Sequence, residues 1–139
     1  MSGYLIDTNV ISELVKTLPD PGVIEFLSGE QELWLSSVVV HELEFGLQLL
    51  PQGSRRDRLQ RFVSDFIAEF EDHILGLERL EAEWAARLRA EAHRSGRVLH
   101  LGDSLIAGTA KAHELSLATR NTGDFSGLDL DIINPWRVA

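Results

Sequence analysis

Short apolar runs that end in polar turn residues alternate along this chain with stretches of helical spacing. Residues 4–6 are apolar and stop at Asp7, and residues 33–35 are apolar and stop at Ser36. Such short strands separated by helices are typical of a parallel sheet that helices cover on both faces. We therefore predict an α/β protein, a three-layer α/β/α sandwich with a short, mostly parallel sheet.

The same pattern locates each element along the chain. The predicted strands are residues 4–6, 33–35, 73–77, 117–119 and 132–133. The predicted helices lie around residues 10–15 and over residues 22–28, 38–50, 55–72, 79–94 and 103–115. Ser37 is the predicted N-cap of the third helix, because Ser is a favoured residue at that position.

Length and composition restrict the class of protein. A chain of 139 residues fits one domain, predicted over residues 1–139. It has no cysteine, which excludes a disulfide scaffold and a thiol nucleophile and fits a reducing cytoplasm. No apolar run approaches the ~18 residues of a membrane span, and we find no signal-peptide pattern. Its 13 basic and 22 acidic residues give a net charge of −9, which disfavours non-specific binding of duplex DNA.

Several polar residues stand where strands end, which is where parallel sheets bind their ligands. Asp7 follows the first strand, Asp103 opens the helix before the fourth, and Asn121 and Asp124 follow the fourth. Glu42 lies at the edge of the apolar face of the third helix. Taken singly, each aspartate also fits a helix cap or a tight turn, and Glu42 fits a rim residue whose carboxylate reaches water.

Taken together, these acids indicate a cation site. Carboxylates within ~4–6 Å of one another raise each other's pKa unless a cation joins them. Oxygen donors favour a hard divalent ion, so the expected metal is Mg²⁺ or Mn²⁺ rather than zinc.

Five short motifs occur in a characteristic order along the chain. They are LIDTNVI at 5–11, VHEL at 40–43, GDSLIA at 102–107, TRNTGDF at 119–125 and NPW at 134–136. This series resembles the PIN-domain family, specifically the VapC- and FitB-like toxins of bacterial toxin–antitoxin systems. The similarity runs essentially end to end, and it implies an endoribonuclease that depends on Mg²⁺, with Mn²⁺ able to substitute.

The resemblance also implies roles for individual residues. Asp7, Glu42 and Asp103 would be the core acids that hold the metal. Some relatives carry Asp where this chain has Asn121, so the fourth acidic role is assigned to Asp124. The cation would lower the pKa of a water molecule that attacks the phosphodiester, leaving 5′-phosphate and 3′-hydroxyl ends. The residues expected to orient the ligands or the phosphate, unless they serve only as caps and turn formers, are Thr8, Asn9, Ser37, Thr119 and Asn121.

The resemblance further implies an RNA substrate and a cognate antitoxin with a basic or wrapping segment, which the acidic charge suits. A homodimer, or a larger toxin–antitoxin assembly, and no membrane association are expected as well. Two alternatives stay open. One is a phosphohydrolase with Asp7 as nucleophile, although Asn9 stands where such folds usually need a second acid. The other is a non-catalytic, receiver-like binding module.

Overall fold

A five-stranded parallel sheet forms the centre of the structure, a computed structural model that describes residues 3–137. The strand order is β3-β2-β1-β4-β5, and every neighbouring pair is parallel. The strands are β1 (Tyr4–Ile6), β2 (Leu33–Ser36), β3 (Ile74–Leu75), β4 (Ser116–Ala118) and β5 (Ile132–Ile133). This topology confirms the predicted α/β class with its short parallel sheet.

Six α-helices accompany the sheet within residues 3–137. They are α1 (Thr8–Glu13), α2 (Pro21–Ser28), α3 (Ser37–Gln48), α4 (Ser54–Glu69), α5 (Arg79–Arg94) and α6 (Leu101–Ala112). Two 3₁₀ turns, Glu71–His73 and Thr122–Phe125, precede β3 and follow β4. The bounds of α5 and β5 agree with the prediction. The single domain stays a prediction, and no helix among the described residues is long and apolar enough to cross a membrane.

The starts of α3 and α6 differ from the prediction in ways that bear on the site. The N-cap of α3 is Ser36, whose Oγ accepts a hydrogen bond from the Val38 N–H at 2.9 Å. The prediction of Ser37 as the cap was therefore wrong, because the extended backbone conformation falls one residue earlier. Helix α6 begins two residues before the predicted start, and His100 is its N-cap. Asp103 is thus the third residue of α6 rather than its cap.

The sheet is buried on both faces, as a parallel sheet requires. Leu5, Ile6, Leu35 and Leu117 have no exposed surface and belong to one hydrophobic cluster. Helices α1, α3, α5 and α6 add apolar side chains to the same cluster. This packing fixes the end of β1, helix α3 and the start of α6, the places from which Asp7, Glu42 and Asp103 project.

Helices α5 and α6 approach each other unusually closely. A Cβ atom placed on Gly108 of α6 would lie 2.4 Å from the backbone nitrogen of Ala85 on α5. The imidazole of His113, just past α6, also forms a hydrogen bond of 2.7 Å with Glu81 on α5. The absence of a side chain at Gly108 therefore allows α6, which carries Asp103, to pack against α5.

Gly108→Ala is expected to lower the free energy of unfolding by about 2 kcal/mol, because the methyl group would collide with backbone atoms. Urea denaturation measures this change. Gly46→Ala on α3 is the matched control, since nothing lies within 4 Å of a Cβ there. Alanine's better helix propensity should stabilise that variant by about 0.5–1 kcal/mol. Equal stabilisation of both variants would contradict the close contact of the helices.

Candidate active site

An open cleft of about 370 Å³ lies where β1 and β4 end. All three predicted core acids, Asp7, Glu42 and Asp103, line it. The other lining residues are Thr8, Asn9, Ser12, Glu13, Lys16, Arg120, Asn121 and Trp136. The carboxyl ends of the strands thus hold the polar cleft that the parallel topology predicts.

Asp7 is buried and held by hydrogen bonds on both carboxylate oxygens. It caps α1, and its Oδ1 accepts a hydrogen bond from the Thr8 N–H at 2.8 Å. Its Oδ2 accepts one from the Thr119 hydroxyl at 2.7 Å and a longer one from Asn9 Nδ2 at 3.4 Å. The side chain of Asp7 therefore both caps α1 and lines the cleft.

Burial is the main reason that the pKa of Asp7 is raised from 3.8 to about 6. The hydrogen bonds from Thr119 and Thr8 act in the opposite direction and lower this pKa. The negative charges of Asp103 and Glu42 raise it further. Near neutral pH, Asp7 is thus ionised although burial and the neighbouring carboxylates disfavour its negative charge. A bound cation would offset this free-energy cost.

Glu42 reaches the cleft from α3. Its Oε1 accepts a hydrogen bond from the Thr8 hydroxyl at 2.5 Å. Its second oxygen faces the start of α6, where a Cβ atom on Gly102 would lie 3.1 Å from Oε2. Glu42 is therefore fixed between α1 and α6.

Asp103 lies in the first turn of α6 and makes no N-cap hydrogen bond there. Burial raises its pKa, and the negative charges of Glu42 and Asp124 raise it further, while His100 lowers it. The carboxylate of Asp103 therefore interacts electrostatically with Glu42 and Asp124 and does not cap its own helix.

The loop after β4 places Asn121 and Asp124 differently. Asn121 lines the cleft, and its N–H donates a hydrogen bond to the Thr119 hydroxyl at 3.1 Å. Asp124 is exposed in the 3₁₀ turn and is not among the lining residues, although its charge acts on Asp103. Ser37 does not line the cleft either. The fourth acidic role of Asp124 stays a prediction.

The donor set of the cleft fits a hard divalent ion, because Asp7, Glu42 and Asp103 offer only oxygen and repel one another without a cation. The side chains do not form a closed metal site. Within residues 3–137, no three His, Asp or Glu groups stand close enough together to hold a metal ion. Asp7 and Glu42 are instead engaged with the hydroxyls of Thr119 and Thr8.

Comparison with known proteins identifies the fold. The PIN domain family model matches residues 4–129. The chain belongs to the PIN-domain family. It is 40% identical to the VapC ribonuclease Y4jK of Sinorhizobium fredii, over 97% of this chain and 99% of that protein. It is 36% identical to the toxin FitB of Neisseria gonorrhoeae, over 95% of this chain and 97% of FitB.

Solved structures agree with this assignment. The structure of FitAB bound to the IR36 DNA fragment matches 98% of this chain and 97% of its own chain. The TM-score is 0.89 and the sequence identity is 33%. Such solved relatives are complexes of a toxin with its antitoxin. The predicted resemblance to VapC- and FitB-like PIN toxins is thereby confirmed.

Some residues that line this PIN-domain cleft were not among the predicted site residues. Lys16 comes from just beyond α1, Arg120 from the loop after β4, and Trp136 from the chain beyond β5. Arg120 and Trp136 do lie in two of the motifs that carry the family resemblance. Their positions in these motifs could have marked both residues as site candidates. Nothing in the sequence, however, places Trp136 beside the end of β1.

Thr119→Val is expected to raise the pKa of Asp7 above about 6, because it removes a hydrogen bond that favours the ionised carboxylate. NMR titration of the Asp7 carboxyl carbon in metal-free protein measures this change. Thr119→Ser keeps the hydroxyl and should leave the pKa near that of the unsubstituted protein. An unchanged pKa in the valine variant would contradict the assigned hydrogen bond.

Proposed function

We propose that this chain is a metal-dependent endoribonuclease and the toxin of a toxin–antitoxin pair. The observation that carries the proposal is the meeting of three carboxylates from three separate elements in one open cleft. Asp7 comes from the end of β1, Glu42 from α3 and Asp103 from α6. Carboxylates gathered in this way, with raised pKa values on Asp7 and Asp103, are typical of a functional site.

Asp7, Glu42 and Asp103 would hold Mg²⁺, or Mn²⁺ in its place. When bound, such an ion makes water a stronger nucleophile and offsets the charge that develops at phosphorus. The chain's own contribution is to hold the donors in place. Thr119 holds Asp7 and Thr8 holds Glu42, and the three carboxylates would have to move closer together as an ion binds.

An antitoxin partner is proposed from the solved relatives, which include toxin–antitoxin complexes with DNA. The net charge of −9 and the acidic cleft would attract a basic or wrapping segment of such a partner. The homodimer, the larger assembly and the cytoplasmic location stay predictions.

The test is RNA cleavage by the purified chain, freed of any partner. We expect cleavage with Mg²⁺ or Mn²⁺ and none with EDTA. Asp103→Asn should fold and lose activity, whereas Asp65→Asn on the exposed face of α4 removes the same charge and should cleave normally. Cleavage that persists in EDTA, or that Asp103→Asn leaves unchanged, would overturn the proposal.

The structure offers less support to the phosphohydrolase alternative. A nucleophilic Asp7 would need an accessible oxygen, but the residue is only 4% exposed and both of its oxygens accept hydrogen bonds. Trapping a phosphorylated Asp7 would nevertheless establish a phosphohydrolase. A binding module without catalysis would be established if metal bound and RNA remained intact.

A further inference from the structure

The cleft that holds the acids also has a basic part. The basic residues Lys16 and Arg120 line it together with the carboxylates, and so does the aromatic residue Trp136. Lys16 is already neutralised, because its Nζ lies 2.8 Å from Glu13 Oε1. Arg120 instead lies over an aromatic ring, with its Cζ 5.4 Å from the centroid of Trp136. None of the ion pairs formed within residues 3–137 involves Arg120.

The backbone of Arg120 is tied to the acids. Its N–H donates a hydrogen bond to Asn9 Oδ1 at 3.2 Å. Asn9 Nδ2 in turn donates to Asp7 Oδ2 at 3.4 Å and to the Thr119 hydroxyl at 3.2 Å. The base of the Arg120 side chain is therefore fixed by the same network that holds Asp7.

The neighbours of Trp136 in the chain hold it in place through contacts with the start of α2. The Arg137 N–H donates a hydrogen bond to the capping oxygen Oδ1 of Asp20 at 2.9 Å. The Pro135 carbonyl lies so close to α2 that a Cβ atom on Gly22 would be 2.5 Å from it. The segment around Trp136 therefore packs against the start of α2. The half-buried ring of Trp136 is thus a fixed surface on which the Arg120 guanidinium lies.

We propose that Arg120 binds a phosphate of the RNA strand next to the scissile linkage, and that Trp136 is the positioning residue for its guanidinium. This proposal rests on the proposed function. An acidic cleft repels a phosphate backbone, so a nearby cation that forms no ion pair within residues 3–137 gives the strand a local attraction. A planar guanidinium over a ring can still direct N–H groups at phosphate oxygens, which suits arginine better than lysine.

The binding test uses a fluorescent RNA oligonucleotide and the Asp103→Asn protein, so that no cleavage interferes. Anisotropy is measured over a range of salt concentrations. Adding Arg120→Gln should weaken binding about five- to tenfold at low salt and reduce the slope of log K against log salt by ~0.7, the contribution of one phosphate contact on a single strand. Arg87→Gln is the matched control, because Arg87 lies 5.0 Å from the Trp84 ring but does not line the cleft.

The positioning role of Trp136 has its own readout. Trp136→Ala should reproduce the loss of Arg120→Gln, and Trp136→Phe, which keeps an aromatic face, should retain most of the binding. In steady-state cleavage by the unsubstituted protein and its Arg120→Gln variant, KM should rise by a larger factor than kcat falls. Thermal melting verifies that each variant is folded.

The proposal is overturned if Arg120→Gln and Arg87→Gln give the same salt slope. It is also overturned if Trp136→Ala weakens binding while Arg120→Gln does not, because Trp136 would then act only through its attachment to α2. Failure of the proposed function looks different. In that case the unsubstituted chain would not cleave RNA with either metal, whatever the salt slope of the variants.

Discussion

Asp7→Asn should abolish RNA cleavage while making the metal-free protein more stable at pH 8. Cleavage should fall by more than ~100-fold, because losing even a partner of a metal ligand costs about 10- to 100-fold. Stability should rise because Asn carries no charge that burial penalises. The amide oxygen can still accept the hydrogen bond from the Thr8 N–H that caps α1.

The size and sign of this stability change follow from the pKa of Asp7. Its folded value of about 6 lies above the ordinary 3.8, so the folded protein binds this proton more tightly than the unfolded chain. The free energy of unfolding therefore falls as pH rises from about 4 to about 6, by about 3 kcal/mol. Asp7→Asn avoids this loss, so the variant should be about 1–3 kcal/mol more stable at pH 8 and nearly equal at pH 4.

Urea denaturation in EDTA at the two pH values measures the effect. Asp65→Asn is the control, since it removes one exposed carboxylate and should change stability little at either pH. An Asp7→Asn protein that is less stable than the unsubstituted chain at pH 8 would contradict the account. So would a stability difference that persists unchanged at pH 4.

Divalent cations should have the second large effect, a rise in melting temperature. A ligand that binds only the folded state at 100 times its Kd adds about 2.7 kcal/mol, which corresponds to roughly 8 °C for a chain of this size. The rise should be larger at pH 7 than at pH 5, because the cation must displace the proton from Asp7.

Thermal melting with millimolar Mn²⁺ or Mg²⁺, against potassium chloride at equal ionic strength, measures this stabilisation. Asp7→Asn and Asp103→Asn should lose most of it, and Asp65→Asn should keep it. No shift in the unsubstituted protein, or the same shift in the two cleft variants, would show that the acids do not bind the cation.

The fold was predictable from the sequence because periodicity is a local property. Helix α5 and strand β5 have the predicted bounds, since both are delimited by strong turn residues. The start of α6 was not predictable in this way. Its first residues, Leu101 and Gly102, are ambiguous locally, and the packing of Gly102 beside Glu42 is a tertiary contact.

In the candidate site too, some residues could be predicted from the sequence and others depend on the folded structure. Asp7, Glu42 and Asp103 come together because parallel strands end at one edge of the sheet, a rule that applies without coordinates. Asn121 and Asp124 could not be distinguished, because a short 3₁₀ turn decides which of them reaches the cleft.

Cleavage of RNA in ¹⁸O-water with Mn²⁺ tests the central claim most directly, namely that the cleft acids support the attack of water on a phosphodiester. One ¹⁸O atom is expected to enter each new 5′-phosphate, and the other end is expected to be a 3′-hydroxyl. Mass spectrometry of the fragments reads both. Fragments ending in 2′,3′-cyclic phosphate, with no ¹⁸O in a 5′-phosphate, would contradict it, because the RNA's own 2′-hydroxyl would then be the nucleophile.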